Sequence, residues 1–389
     1  LDAAILLIQS MHSSYNNRFN YPAKKLFKRL LQLGGKPLIP RGDGDDQHDL
    51  GVDGALVPWL KSLWDAIFDK WPLEPGLQII SDDTLRMFFC IILATPSFRI
   101  KFLDADNIPE ISSINDPNGI MGRVVQNSRL TAPDHFQDIR HVELHASNAH
   151  HLYKPGDILL LRPQNKPSNV LKALKILGLE NEGQKQFAIV EESFGGQSVP
   201  RHWPKVMTLD FLFTHILDIC GRPRRHFFQL LSFFALSEQH AERLKELASP
   251  EGQDDLFSYS YAPKRTILEV LLDFPCQIPL DYLLDLIPEM KPRSFSISSS
   301  PYCHLNSIHL TVAIIDYKTV LKERRTGVCT SWISDWEPDS LINFSIQRGS
   351  LNIIDDITVP VILIGPGTGI APMRSFLIER IKKGAKSIF

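Results

Sequence analysis

Arg293-Ser-Phe-Ser-Ile-Ser-Ser-Ser-Pro301 alternates a large side chain with a serine, the period-two pattern of a strand. Arg293, Phe295 and Ile297 then fall on one face and Ser294, Ser296 and Ser298 on the other. Arginine offers bidentate donors to a phosphate, phenylalanine a flat apolar face to an aromatic ring, and serine a small donor or acceptor. A half-buried strand with a serine-rich exit explains the same residues without a ligand. Downstream, strand texture continues over His309–Tyr317. Upstream, helical spacing runs from Met207 to Ile287. Ser237 is placed to cap Glu238–Ala248, and Thr266-x-x-Glu269 is a capping box that opens Ile267–Phe274. Further upstream, short β-rich runs (Phe98–Leu103, Gly122–Asn127, His141–Leu144, Ile158–Leu161, Phe187–Val190) are separated by turns such as Lys154-Pro-Gly-Asp157. The centre of the chain therefore reads as one β-domain, a barrel or sandwich, with a helical block inserted in its sequence.

The flanks have a different texture. Before the β-rich region, Leu26, Phe27, Leu30, Leu31 and Leu33 recur at helical spacing until Gly34-Gly35, and Pro37–Pro40 reads as a short strand. An acidic glycine-rich loop, Arg41–Gly51, leads into a second amphipathic helix through Leu60, Leu63, Trp64, Ile67, Phe68 and Trp71. After the β-rich region comes Val359–Ile364, which reads as a buried strand, then Gly365-Pro-Gly-Thr-Gly369, then a helix from Pro372. This loop lacks both the Gly-Lys-Ser/Thr of a P-loop and the Gly-x-Gly-x-x-Gly spacing of a dinucleotide fold. A glycine turn between strand and helix still aims backbone N–H groups at an anion, although tight-turn geometry alone would also call for the glycines. Gly327-Val-Cys-Thr-Ser-Trp332 is a third such place, with small hydroxyl residues before a helix-like Trp332-Ile333.

Composition excludes several classes. The chain has 389 residues, 43% hydrophobic and 22% charged, with Lys+Arg 42 against Asp+Glu 44. That is globular, sized for about two to three domains of roughly 150 residues, and without a basic nucleic-acid footprint. The longest apolar run, Met87–Ala94, falls far short of the ~18 residues of a bilayer span. The five cysteines, Cys90, Cys220, Cys276, Cys303 and Cys329, form no Cys-x-x-Cys pair, which argues against a cysteine zinc site or a disulfide framework. A soluble cytoplasmic protein without a metal, a membrane or a nucleic-acid partner is expected.

In order and spacing, Arg-x-aromatic-Ser, Gly-x-Cys-Thr and Gly-Pro-Gly-Thr-Gly-x-Ala-Pro resemble the ferredoxin–NADP reductase-type module of the diflavin reductase family. The helical block before Arg293 is similar to the connecting domain that such reductases insert into their FAD barrel. The match is strongest to the branch serving cytosolic iron–sulfur protein assembly. It is carried by Leu26-x4-Leu31-Gln-Leu-Gly-Gly35, Asp45-Asp-Gln-His-Asp-Leu-Gly51, Lys154-Pro-Gly-Asp157, Thr266-Ile-Leu-Glu-Val270 and Asp281-Tyr-Leu-Leu-Asp-Leu-Ile-Pro288. The resemblance implies a multidomain α/β plus β-barrel architecture. Residues 1–72 would be the second half of a flavodoxin-like FMN domain and 73–97 a linker. Residues 98–358 would be the FAD-binding antiparallel barrel, with its connecting insertion at about 206–290, and 359–389 the first β-loop-α unit of an NADP-binding domain.

By the same resemblance, Arg293 would contact the FAD pyrophosphate, Phe295 would stack on the flavin, and Ser296 would reach its reactive edge as the one placeable catalytic group. Ser294 adjoins them. Gly327, Val328, Cys329 and Thr330 would wrap the pyrophosphate. Lys264 stands where the family usually has arginine, keeping the charge without the fork. Gly365, Gly367, Thr368 and Gly369 would meet NADPH. FMN contacts would fall on Ser13, Ser14, Tyr15, Asn20 and Asp46. Against FMN stand the lost Gly-Asp, one inserted residue in Ser10–Asn20, and the lack of a phosphate-cradling loop before it. The family's 2′-phosphate contacts, its hydride-site Cys and acidic residue, and its terminal Trp would come after Phe389, so truncation at both ends is expected. The implied acceptor is an iron–sulfur protein of the anamorsin type. A catalytically incomplete, partner-binding FAD remnant is the rival expectation.

Overall fold

β-branched and leucine-rich alternating runs pair into sheets wherever one of their faces can be buried. In a computed structural model the residues described are 20–45, 52–73, 76, 96–103, 118–191, 199–351, 354 and 356–385. The strands are β1 Phe98–Phe102, β2 Ile120–Arg129, β3 Ile139–His145, β4 Ile158–Leu161, β5 Gln186–Glu191, β6 Val206–Thr208, β7 Arg293–Ser296, β8 Ser307–Ala313, β9 Asp316–Tyr317, β10 Arg325–Thr326 and β11 Leu341–Gln347. Six of them form one antiparallel sheet in the order β7-β4-β11-β2-β3-β8. Its two edges meet: Ile297 bridges Leu310 antiparallel, and the Ser298 N–H donates to His309 O at 2.8 Å. The sheet thus closes on itself at this point, which shortens its exposed edges. Val142, Leu144, Leu159, Leu161, Ile297 and Leu310 fill the interior at no more than 0% exposure.

The strand reading needs a correction. β1 and β5, read from sequence as strands of the same β-domain, pair instead with β6 in a separate three-stranded sheet, β1-β5-β6. Phe187 of β5 and Met207 of β6 join a second core with Leu174, Phe213, Phe228 and Leu271. This helical core therefore draws on residues from Val170 onward, before the expected insertion at about 206, and uses a helix, Pro167–Ile176, that the sequence reading missed. Alternation reports that a strand has one buried face but not which core buries it. Local signals fared better. Glu238–Ala248 is capped by Ser237, and Ile267–Asp273 opens with the full Thr266–Glu269 capping box.

The chain divides into two units, Leu1–Ile92 and Leu93–Phe389. In the first, the helices Tyr21–Gln32 and Asp53–Lys70 are described. Trp59 is buried there and donates from Nε1 to Pro40 O at 2.8 Å. Pro37–Pro40 is not a strand. Its chain direction is held by that tryptophan, with no described strand pairing it. No helix among the described residues is long and apolar enough to cross a membrane.

Candidate functional site

β7 carries Arg293 to Ser296 on one edge of the closed sheet, in register with Leu161 to Ile158 of β4. Phe295 is half-buried and packs against the barrel core, so only part of its ring is accessible. Ser294 is exposed and Ser296 half-buried. Ser298, expected to share their face, is fully buried, because the strand leaves β4 after Ser296 to make the closing bridge with β8. Arg293 is 41% exposed; it donates to Lys291 O and lies 4.0 Å from Asp218 Oδ2. Burial raises the pKa of Asp218, and Arg293 opposes that rise. Asp218, from the helical block, was not legible in the sequence as a partner of Arg293.

Gly327 precedes the helix Val328–Ser334 and shows why glycine stands there. A Cβ at this position would lie 2.6 Å from Thr330 Oγ1 and 3.0 Å from Ile315 Cβ. The first intrahelical bond is Ser331 N–H to Gly327 O at 2.8 Å, which leaves the N–H groups of Val328, Cys329 and Thr330 ahead of the helix's own acceptors. Thr330 departs from expectation: its hydroxyl is internal, accepting from Ile315 N–H at 3.1 Å and lying 3.4 Å from Gly327 O. Cys329 is buried, and burial pushes its thiol up to about 12, so it is no thiolate; Arg293 pulls the other way, which places the two motifs within electrostatic reach. Cys329 and Thr330 thus offer their backbone, not their side chains.

The helical block reaches the same rim. Lys264, in the left-handed region at φ 53, holds Nζ 4.9 Å from the centre of the Tyr317 ring. Arg325, two residues before Gly327, donates from Nε to Pro263 O at 3.1 Å and from Nη1 to Glu269 Oε1 at 2.8 Å. Its Nη2 is buried without a hydrogen-bond partner. These groups fit a diphosphate: a half-exposed guanidinium, an orphaned guanidinium nitrogen, and uncommitted N–H groups at a helix start.

The glycine turn is attached beside this rim. Gly367 has φ 57, and a Cβ on Gly365 would stand 2.6 Å from Gly369 O, so both positions need glycine. From the helix Ile370–Lys382 that follows, Arg374 Nη1 donates to Ser298 O at 2.6 Å and the Ser375 hydroxyl donates to Ser299 O. Thr368 is half-buried. The expected strand Val359–Ile364 does not form: Ile362 is 90% exposed and no described strand lies beside it. The nearby backbone is held instead by Arg380, which donates to Asp356 O, Ile357 O and Val359 O at 2.7–2.9 Å.

Of the expected FMN contacts, Ser13, Ser14, Tyr15 and Asp46 lie outside the described residues. Asn20 is fully buried; its Nδ2 donates to Gly44 O at 3.0 Å as an internal brace, and its Oδ1 has no hydrogen-bond partner.

A family model described as an FAD binding domain matches residues 114–332. The chain is 39% identical to a Xenopus laevis protein named NADPH-dependent diflavin oxidoreductase 1, across 96% of this chain and 63% of that protein. Proteins of the same name from Danio rerio and Arabidopsis thaliana are 40% and 35% identical, with 99% and 95% of this chain and 65% and 62% of theirs covered. The chain thus spans less than two thirds of the length of these curated relatives.

Proposed function

The chain belongs to the FAD binding domain family, and from that premise we propose that it is the FAD-bearing centre of an NADPH-dependent diflavin reductase. The observation that carries the reading is convergence. β7, Lys264 and the Arg325–Gly327 segment with its helix start come from distant stretches to one rim, and the helix after Gly365–Gly369 is anchored on Ser298 and Ser299, just past Ser296.

In this reading Arg293 and the N–H groups of Val328 to Thr330 hold the FAD diphosphate, with Lys264 adding charge. Phe295 offers its free ring area to the flavin, and Ser296 is the hydroxyl at the reacting edge. Gly365, Gly367, Thr368 and Gly369 receive the NADPH diphosphate, whose approach needs bare backbone. Bound FAD supplies hydride acceptance and one-electron release, chemistry the protein only positions. The domain layout follows the same reading: an FMN-domain portion over 1–72, a linker over 73–97, a barrel with its helical insertion to 358, and the start of the NADP-binding domain from 359. Electrons would pass on to an iron–sulfur protein of the anamorsin type in cytosolic iron–sulfur assembly.

The test is flavin released by heat from the purified chain and identified by chromatography, with dye reduction by NADPH alongside. FAD near one equivalent, little FMN, and NADPH-dependent reduction are expected. Equal FMN and FAD would overturn the cofactor assignment. FAD without any reduction would favour the partner-binding remnant.

A further inference from the structure

On the opposite run of the closed sheet, β3 and β8 pair so that Glu143 faces His309, and His141, two residues along β3, shares the face of Glu143. The donor atoms of His141, Glu143 and His309 all lie within 4.8 Å of one another. His309 is 6% exposed, and its ring stands edge-on to His141 at 5.0 Å and to His304 at 4.3 Å. Its Nε2 lies 3.1 Å from Ser307 Oγ and 3.5 Å from Glu143 Oε1, while Nδ1 is buried with no hydrogen-bond partner. A buried imidazole ordinarily uses both nitrogens, so one donor here is in surplus.

We propose that His141, Glu143 and His309 form a binding site for a divalent metal ion of the zinc class, joining β3 to β8. Two imidazoles and one carboxylate suit zinc, with a fourth position left to water. Calcium and magnesium prefer all-oxygen sets and are disfavoured by the two nitrogens. Tetrahedral zinc with bonds near 2.0–2.1 Å separates its ligand atoms by about 3.4 Å, so the cluster closes by roughly an ångström, within reach of small side-chain rotations. Burial holds His309 in the neutral form that ligates. Ser307 Oγ, 3.1 Å from Nε2, helps to fix the orientation of the ring. Arg374 lies near enough to disfavour positive charge on His141 and His309, and it opposes the cation. Its guanidinium is drawn to Ser298 O at 2.6 Å, and the Glu143 carboxylate opposes its effect on His141. Binding weaker than in a closed cysteine site is the consequence. The site would brace the strand pair whose backbone at His309 O holds Ser298, the residue on which the helix Ile370–Lys382 is anchored.

The test uses the whole chain, stripped with a chelator and titrated with Zn²⁺ against a chromophoric competitor, then with Co²⁺ by visible spectroscopy. One equivalent of zinc, and a cobalt spectrum without a sulfur charge-transfer band, are expected. Glu143→Gln and His141→Gln, both at half-buried positions, should each weaken binding about tenfold or more. Changing the neighbouring pair His150 and His151 to glutamine should leave binding unaltered. Parent-like affinity in the first two variants, loss on changing His150 and His151, or a sulfur band would each overturn the proposal. The cobalt spectrum of the parent decides between imidazole and cysteine ligands even if a variant folds poorly.

Discussion

The rim around Arg293 and the turn at Gly365–Gly369 are both glycine-assisted, anion-seeking places, yet they are built differently. At the rim, β7, Lys264 and the Arg325–Gly327 segment with its helix start come from stretches separated by tens of residues, and β7 and the helix start pack against a buried core. At the turn, every feature lies within a dozen residues, and the backbone before it is exposed, with Ile362 at 90% and Ile364 at 77%. The rim's geometry therefore rises and falls with the global fold, whereas the turn's depends on one helix and its two anchors at Ser298 and Ser299. A diphosphate site shared between cores is rigid, and one on a single helix is adjustable.

Four experiments can break or sharpen that contrast. The largest effect is expected for Arg325→Leu, which strands Glu269 beside the rim; breaking such a mostly buried pair should cost about 3–5 kcal/mol in denaturant unfolding and release flavin as well. pH enters with a definite sign. Burial tends to raise the pKa of Glu269, but its bonds to Arg325 and Thr266 outweigh that and hold it below the ordinary value. Its contribution is complete above the ordinary glutamate pKa and is lost as pH falls through the lower folded value, so Arg325→Leu should also flatten the acid side of the stability profile. An unfolding midpoint equal to the parent's would show that the rim is not fold-coupled.

Arg293→Ala comes next, with about 1.5–3 kcal/mol lost from FAD binding, roughly ten- to hundredfold, and only partial recovery in Arg293→Lys. Titration of the flavin-free protein with FAD measures it, and unchanged affinity would leave Arg293 a merely structural partner of Asp218. Gly365→Ala should act oppositely to the rim variants. A Cβ 2.6 Å from Gly369 O forces the turn open, so NADPH-driven dye reduction should fall about tenfold while FAD content and melting stay near the parent's. A large drop in melting temperature would mean that the turn, too, is tied to the core. The smallest effect concerns thiols. Exposed Cys303 should alkylate readily near pH 8, while Cys329, buried and pushed up to about 12, should label only on denaturation. Peptide mass spectrometry distinguishes them, and equal labelling would show that the Gly327 helix start opens freely.

Much of this was legible because it is local. The β-rich run Ile158–Leu161, the Ser237 cap, the Thr266–Glu269 box and the glycines at 365 and 367 each follow from steric and hydrogen-bonding rules that act within a few residues. The same rules misled at Val359–Ile364, whose apolar composition suits a buried strand but which meets no described partner strand to supply ladder bonds. They also could not show that the Thr330 hydroxyl is taken up by Ile315, 15 residues away.

The amino-acid sequence alone determined many of the strands and helices and where several of them start and stop. Tertiary structure alone decided which core each strand serves, sending β1 and β5 to the helical core and closing β7 onto β8 through Ile297 and Leu310. It alone paired Arg325 with Glu269 and Arg293 with Asp218, and brought His309 to Glu143 and His141. Periodicity and capping are energies of neighbouring residues and can be read along the chain. The choice of partner across 56 or more residues is settled by how two cores divide the same apolar side chains, which no local pattern encodes.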